Sequence, residues 1–209
     1  MVRLRLDELY SLIVSVLVSS NTSAQNAASV ATALVAADAE GLSSHGVARL
    51  PAYADQSISG KVDGFAVPEV ALAAAALIRI DAKSGFAFPA IEVGMSRAFE
   101  LVEDAGIVGL GIHHSHHMGA AGYHVEQAAK RGYIALGFTN APAAIAPWGG
   151  SRSLFGTNPI AFACPRVNED PLVIDLSLSK VARGKVKLAA DSKRAIPEDW
   201  AVDAQGNPT

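Results

Sequence analysis

Cysteine is almost absent from this 209-residue sequence, where Cys164 stands alone. A single thiol forms no internal disulfide and builds no thiolate zinc cage, so the composition fits a reducing compartment, by default the cytoplasm. Charge is scarce too, at 18% of residues against ~25% in an average globular domain. Lys and Arg number 17 against 20 Asp and Glu, a net charge of −3. With no basic run, the chain lacks the electrostatic footprint of a nucleic-acid or anionic-membrane binder. Long hydrophobic runs are missing as well. The longest, Val70 to Ile78, is bounded by Glu69 and Arg79 and falls far short of the ~20 residues a spanning helix needs. Arg3 and Arg5 precede the apolar stretch Leu12 to Val18, but Asp7 and Glu8 break the order of a secretion signal.

What the sequence does have is apolar mass, 50% of residues, enough to bury a sizeable core and to exclude a disordered tail. At ~150 residues per domain the length allows one large domain or two small ones. Leu6, Leu9, Tyr10, Ile13 and Leu17 repeat at helical spacing. A second helix is expected from Thr22-Ser23-Ala24-Gln25, a capping signature, to near Gly41, with Ala27, Ala31, Leu34 and Val35 on its apolar face. Residues 42 to 64 read as a loop and a short helical piece broken at Pro51. An Ala-rich stretch follows and ends in Leu77-Ile78-Arg79-Ile80-Asp81, which alternates like an edge strand. Then come a helix around 89 to 104, a strand at Ile107 to Ile112, a helix around 120 to 131 and a strand at Tyr133 to Phe138, and strand, crossover, strand signals a parallel βαβ unit. Ile160 to Ala163 and Leu172 to Ile174 read as short strands bounded by Pro, with a helix from 178 to 190 after them. The fold class is therefore α/β. A helical part over residues 1–70 and an α/β part over 71–209 are the expected divisions.

In parallel α/β sheets ligands bind beyond the carboxyl ends of the strands. Three such ends carry chemistry: His113-His114-Ser115-His116-His117-Met118-Gly119, Thr139-Asn140-Ala141-Pro142 and Asp175-Leu176-Ser177. Parallel neighbouring strands would bring an imidazole, a carboxamide and a carboxylate to one edge. Four of six histidines fall within 113 to 117, a density that core packing does not explain. His117 is the preferred member, because the small residues after it let a ligand approach the backbone amides of a helix N-terminus, which suits a phosphate. A second constellation is Ser44-His45-Gly46-Val47-Ala48-Arg49 with Tyr53, four-residue steps that share one face of a helix if Pro51 does not kink it. His45 can exchange a proton near neutral pH, Ser44 can orient it, and Arg49 can grip a carboxylate with two parallel bonds. The glycines of Gly149-Gly150, Gly156-Thr157-Asn158-Pro159 and Gly106 to Gly111 match neither a P-loop nor a Rossmann fingerprint. A nucleotide site here would have to be non-Rossmann.

The segments Ser44-His45-Gly46-x-x-Arg49, His117-x-Gly119-Ala120-Ala121-Gly122-Tyr123, Ala146-Pro147-Trp148-Gly149-Gly150, Gly156-Thr157-Asn158-Pro159 and Ala182-Arg183-Gly184-Lys185-Val186 together resemble the malate/L-lactate dehydrogenase type 2 family. Their order runs over nearly the whole chain, to Ile196-Pro197-Glu198-Asp199-Trp200-Ala201. The resemblance implies a non-Rossmann α/β fold, a homodimer, and NAD or NADP as cofactor. It implies hydride transfer between nicotinamide and C2 of a small 2-hydroxy or 2-oxo acid. Carried onto this sequence, His45 is the proton donor or acceptor, Ser44 and Asp175 its relay partners, and Arg49 the carboxylate clamp. His117 sits at the nicotinamide, and in some members the equivalent His takes the acid-base role instead. His117, Met118, Gly119, Ala120, Ala121, Asn140, Thr157, Asp175, Leu176 and Ser177 border the cofactor. The family continues past Thr209, so a C-terminally truncated chain is expected.

Departures from the family pattern bear on substrate. Met118 replaces an aromatic residue, Leu178 a Thr, and Ala141 an Asp found in ureidoglycolate-type members, which argues against ureidoglycolate. Ser115-His116-His117 resembles reducers of cyclic imino acids, the alternative activity, whereas Gly119 to Tyr123 resembles the malate branch. Two other readings stand beside these. One is a zinc hydrolase with His114, His116 and Asp175 as ligands, although the family likeness needs no metal. The other is a shortened chain without catalysis.

Overall fold

The computed structural model describes residues 3–181, 183–203 and 205–208. Ala182, first residue of one family-like motif, lies outside them, as do Met1, Val2, Ala204 and Thr209. The chain divides into two compact units, residues 1–120 and 121–209. The division expected after residue 70 falls instead inside a strand, because the hairpin that starts at Glu69 belongs to the first unit. Among the described residues no helix is long and apolar enough to cross a membrane.

The first unit opens with α1 (Leu6–Ser19) and α2 (Ala24–Ala39). Arg5 N–H donates to Glu8 Oε2 at 2.9 Å, and Ser23 Oγ accepts from Asn26 N–H at 3.2 Å, so both helices start where a side chain meets an orphan backbone donor. Ile13 and Leu17 of α1 and Val30, Ala31 and Leu34 of α2 are fully buried. Val35 remains half-buried. After a one-turn 3-10 helix (Val47–Arg49), α3 (Leu50–Ile58) follows directly. Pro51 does not break this helix. It occupies the first turn, where its missing N–H has no helical acceptor to lose.

β1 (Glu69–Ala74) and β2 (Leu77–Asp81) form an antiparallel hairpin, and β2 continues through α4 (Ala87–Ala105) into the parallel neighbour β3 (Gly109–His113). The sheet order β1-β2-β3 makes β2 central. The expectation of an edge strand fails because the Ala-rich stretch before it, unremarkable for strand propensity, supplies the missing neighbour. Ile78 and Ile80, both 0% exposed, pack with Ala82 and Ala90 under Leu101 and Ile112. Gly94 lets α4 close on this sheet, since a Cβ there would lie 2.2 Å from Ile80 Cδ1.

The second unit contains α5 (Ala121–Ala129), β4 (Ala135–Phe138), β5 (Ile160–Arg166), β6 (Glu169–Leu176) and α6 (Arg183–Asp191). Its sheet is antiparallel throughout, in the order β4-β5-β6. The expected parallel βαβ unit, β3-α5-β4, is not formed, because β3 and β4 belong to different sheets, and it is β2-α4-β3 that makes one. β5 and β6 run through Pro165 and Pro171 rather than ending at them. The ladder jumps from Cys164↔Leu172 to Arg166↔Glu169, and a proline is tolerated at such an irregularity. The last helix starts at Arg183, later than residue 178.

Candidate active site

The turn after α2 carries Ser44, His45 and Arg49, and its shape is set from below. Asp38 Oδ2 accepts from Val47 N–H at 2.6 Å, capping the 3-10 turn. A Cβ on Gly46 would meet that carboxylate at 2.2–2.4 Å, so no larger residue fits between His45 and the turn. Arg49 Nε donates to Ser44 O at 2.7 Å, which leaves both terminal nitrogens of the guanidinium for a two-pronged grip on a carboxylate. His45 Nδ1 lies 3.1 Å from Ser44 Oγ. The expected single helical face for His45, Arg49 and Tyr53 is not formed. A turn, a 3-10 helix and α3 place the three instead.

His116 and His117 reach the same region from the end of β3. Hydrogen bonds from Ala82 N–H to His113 O (3.0 Å), Ser84 N–H to His114 O (2.7 Å) and His116 N–H to Gly85 O (3.0 Å) fasten this segment to the turn after β2. The His117 ring stacks on His45, centroids 6.0 Å apart and planes inclined by 17°. Tyr53 OH lies 2.7 Å from His117 Nδ1, and Gly119 N–H donates to the same nitrogen at 3.1 Å. With two donors aimed at Nδ1, the neutral ring carries its proton on Nε2. Gly119 is needed for this, since its φ is +71° and a Cβ would press on Phe88 at 3.0 Å.

Electrostatics separates the imidazoles. Desolvation, helped by the cations of Lys61 and Arg49, holds His116 down to about 4. Crowding by protein, then Arg49, pushes His117 well below the usual histidine range, although one side of the residue stays exposed. Burial raises Tyr53 far above the ordinary phenol value, so it remains a donor. His116 packs edge-on against Tyr53 and Phe86, at 5.2 and 5.9 Å between centroids, and its buried Nδ1 has no hydrogen-bond partner.

In the second unit the row Phe138↔Ile160↔Leu176 brings Asn140, Thr157 and Ser177 to one edge of the sheet. β4 and β6 both end there, and β5 begins there. Asn158 Oδ1 accepts from Ala141 N–H at 2.9 Å, and a Cβ on Gly156 would overlap Ala141 O at 2.1 Å, so the two loops are clamped together. Asp175 Oδ2 accepts from Gly122 N–H at 2.7 Å and thereby caps α5. A carboxylate already holds this helix N-terminus, which repels the phosphate that the small residues suggested.

The structure therefore brings Ser44, His45, Arg49 and His117 together in the first unit. Asn140, Thr157, Asp175, Leu176 and Ser177 gather at one edge of the second. Of the zinc set, His114 faces Asp81 at 3.1 Å and His116 faces Tyr53 in the first unit, while Asp175 holds Gly122 in the second. Sequence reasoning gives Tyr53, Asp38 and Asn158 no role of their own and weighs His116 only as a zinc ligand and as part of a motif. Tyr53 was visible in the same segment as Arg49, but nothing in the spacing tied it to His117.

Comparison with known proteins places this geometry. Residues 4–209 match the family model described as malate/L-lactate dehydrogenase. A (2R)-3-sulfolactate dehydrogenase (NADP(+)) of Chromohalobacter salexigens is 55% identical over 179 residues, 86% of this chain and 54% of that protein. A Delta(1)-pyrroline-2-carboxylate/Delta(1)-piperideine-2-carboxylate reductase of Pseudomonas putida is 40% identical over 208 residues, 100% of this chain and 61% of that one. The crystal structure of delta1-piperideine-2-carboxylate reductase from Pseudomonas syringae superposes with a TM-score of 0.95 at 38% identity, covering 100% of this chain and 63% of that chain. The chain thus spans a little over half the length of the relatives it matches.

Proposed function

The chain belongs to the malate/L-lactate dehydrogenase family, and from that premise we propose that it serves an NAD(P)-dependent oxidoreductase acting at C2 of a small 2-hydroxy or 2-oxo acid. The observation that carries the reading is the placement of His45 and Arg49 on one capped turn, where Arg49 is tied to Ser44 O, with the uncharged His117 ring stacked on His45.

In this proposal Arg49 binds the substrate carboxylate through its two terminal nitrogens and so fixes C2 relative to the imidazoles. His45 exchanges the proton of the C2 oxygen through Nε2, while Ser44 holds Nδ1. His116 and His117 are kept neutral and are poor proton donors near pH 7, which leaves that role to His45. The residues present fit a nicotinamide: an imidazole held uncharged at His117 spares the oxidised ring a neighbouring imidazolium. Bound there, the cofactor supplies or accepts the hydride. In the first unit His117, Met118, Gly119 and Ala120 are proposed to border it. In the second, Ala121, Asn140, Thr157, Asp175, Leu176 and Ser177 are. The carboxylate on α5 favours a ring or ribose over a phosphate beside it. The name of the Chromohalobacter relative favours NADP. A homodimer in the cytoplasm completes the proposal, supported by the resemblance and by the lone Cys164.

A second reading, reduction of a cyclic imino acid, is favoured by Ser115-His116-His117 and by the match of the Pseudomonas reductases to the whole of this chain. Cofactor turnover by the purified chain decides between them, using NADP+ with (2R)-3-sulfolactate, malate and lactate, and NADPH with Δ1-piperideine-2-carboxylate. Turnover with hydroxy acids supports the first reading, turnover with the imine alone supports the second, and absence of both turnover and cofactor binding contradicts the two together.

A further inference from the structure

Away from the His45 cluster, β2 and β3 end side by side at Asp81 and His113, which are paired in the parallel ladder. Paired residues point to one face of a sheet, whereas the residue after His113 would normally point to the other. His114 does not, because its φ is +49°, a left-handed conformation that side-chain-bearing residues seldom adopt. The turn swings its ring back beside that of its neighbour, with centroids 4.5 Å apart. His113 Nδ1 and His114 Nδ1 are then 3.1 Å apart, and His114 Nδ1 is 3.1 Å from Asp81 Oδ1. One donor atom from each of the three lies within 4.8 Å of the others.

Protons serve this arrangement poorly, since one hydrogen on His114 Nδ1 would have to be shared between Asp81 and His113. His114 Nδ1 carries either one hydrogen or one lone pair. If it donates to Asp81, it has no lone pair to accept from His113. If it accepts from His113, a bare lone pair faces the carboxylate. We propose that Asp81, His113 and His114 bind a divalent cation of the zinc class, which takes the place of the shared proton and meets all three lone pairs at once. The spacing fits: ligands ~2.0–2.1 Å from a tetrahedral zinc are roughly 3.3 Å from one another, close to the 3.1 Å observed. Two imidazoles select zinc, cobalt or nickel over magnesium or calcium.

The surroundings orient the ligands. Lys83 N–H donates to Asp81 Oδ1 at 2.8 Å, and Lys83 Nζ, itself on Glu69 Oε2 at 2.8 Å, stands 3.5 Å from Oδ2. The His113 and His114 carbonyls are tied to Ala82 and Ser84. Half or more of the His114 side chain is exposed, so the fourth position opens to water. The cation would join the ends of two strands three residues before His117, steadying the segment that carries it.

The test is a titration of the full tag-free chain with Co2+, read by the visible absorption of four-coordinate cobalt, and with Zn2+ by calorimetry. We expect one equivalent bound. Affinity should fall more than about 100-fold in His113→Ala and in His114→Asn, the Asn being chosen because it tolerates the left-handed backbone. His45→Ala should bind as the parent does. Thermal unfolding with and without Zn2+ gives a second reading, with the parent midpoint rising in metal and the folded variants' midpoints unmoved. Absence of stoichiometric binding, binding that survives His113→Ala and His114→Asn combined, or binding lost in His45→Ala would each overturn the proposal.

Discussion

The two units build their sites by opposite means. In the first, Ile13, Leu17, Leu34, Ile78, Ile80, Phe86 and Phe88 are at most 1% exposed, and the imidazoles of His116 and His117 rest against this aromatic and aliphatic mass. In the second, the buried apolar set among the described residues is small: Ala121, Ala128, Ala129, Ala161, Ala163 and Ala189, with Val125 the one large aliphatic among them. Its larger apolar side chains lie on the surface of this chain, with Leu136 at 62%, Phe138 at 69% and Leu176 at 62% exposed. Its functional edge is held instead by backbone and carboxylate contacts, Gly122 to Asp175 and Ala141 to Asn158. Rigidity comes from side-chain packing in one unit and from close backbone approach in the other. Large-to-small substitutions should therefore injure the first unit, and glycine substitutions the edge of the second.

The largest expected effect on stability is Ile80→Ala, which empties space beneath α4 and should cost about 2–5 kcal/mol in chemical denaturation. Equal loss in Leu136→Ala would break the comparison, since an exposed leucine should change stability by no more than about 0.5 kcal/mol. Next comes Gly156→Ala. Its methyl group meets a carbonyl oxygen that cannot rotate away, so we expect a cost of about 1–3 kcal/mol and weaker NADP(H) binding with Arg49-dependent substrate affinity unchanged. The pH dependence should belong to the first unit. His116 is depressed when folded and ordinary when unfolded, so the unfolded chain binds more protons between about 4 and 6.5. Stability should be full above pH 6.5 and fall by on the order of 1–3 kcal/mol as pH drops through that window. The His116→Gln variant should reduce that slope to the part that His117 contributes, which thermal melts at several pH values would show. The smallest effect is Tyr53→Phe, which leaves Gly119 N–H as the donor on His117 Nδ1 and should cost ~1 kcal/mol. Its signature is a rise in the His117 pKa measured by NMR, which simple loosening of the core would not produce.

How much of this was legible in the sequence differs between the units for the same physical reason. Helices α1, α2 and α4 and strand β2 carry their burial as periodic apolar side chains, and periodicity with capping signals reads them nearly to their ends. The Ala-rich β1 has no alternation to read, so β2 was taken for an edge. The antiparallel order β4-β5-β6 depends on which strands meet, and a run such as Ile160 to Ala163 is equally apolar in either sheet type. At the site, Ser44, His45, Arg49 and His117 announced themselves by residue type and spacing. Tyr53 and Asp38 act through contacts distant in sequence, to His117 and to the turn at Val47, and no spacing rule reaches them. The carboxylate that caps α5, which disfavours the phosphate expected there, comes from β6 and is out of reach of any reading of the helix itself.

The most direct test of the account is steady-state kinetics of His45→Gln and Arg49→Gln beside the parent chain, with NADP(H) and whichever substrate the panel identifies. The account predicts that His45→Gln lowers kcat by about 10²–10⁴-fold with little change in KM. Arg49→Gln should act chiefly on KM. A His45→Gln variant that turns over at the parental rate would contradict the assignment of the proton to His45 and the account built on it.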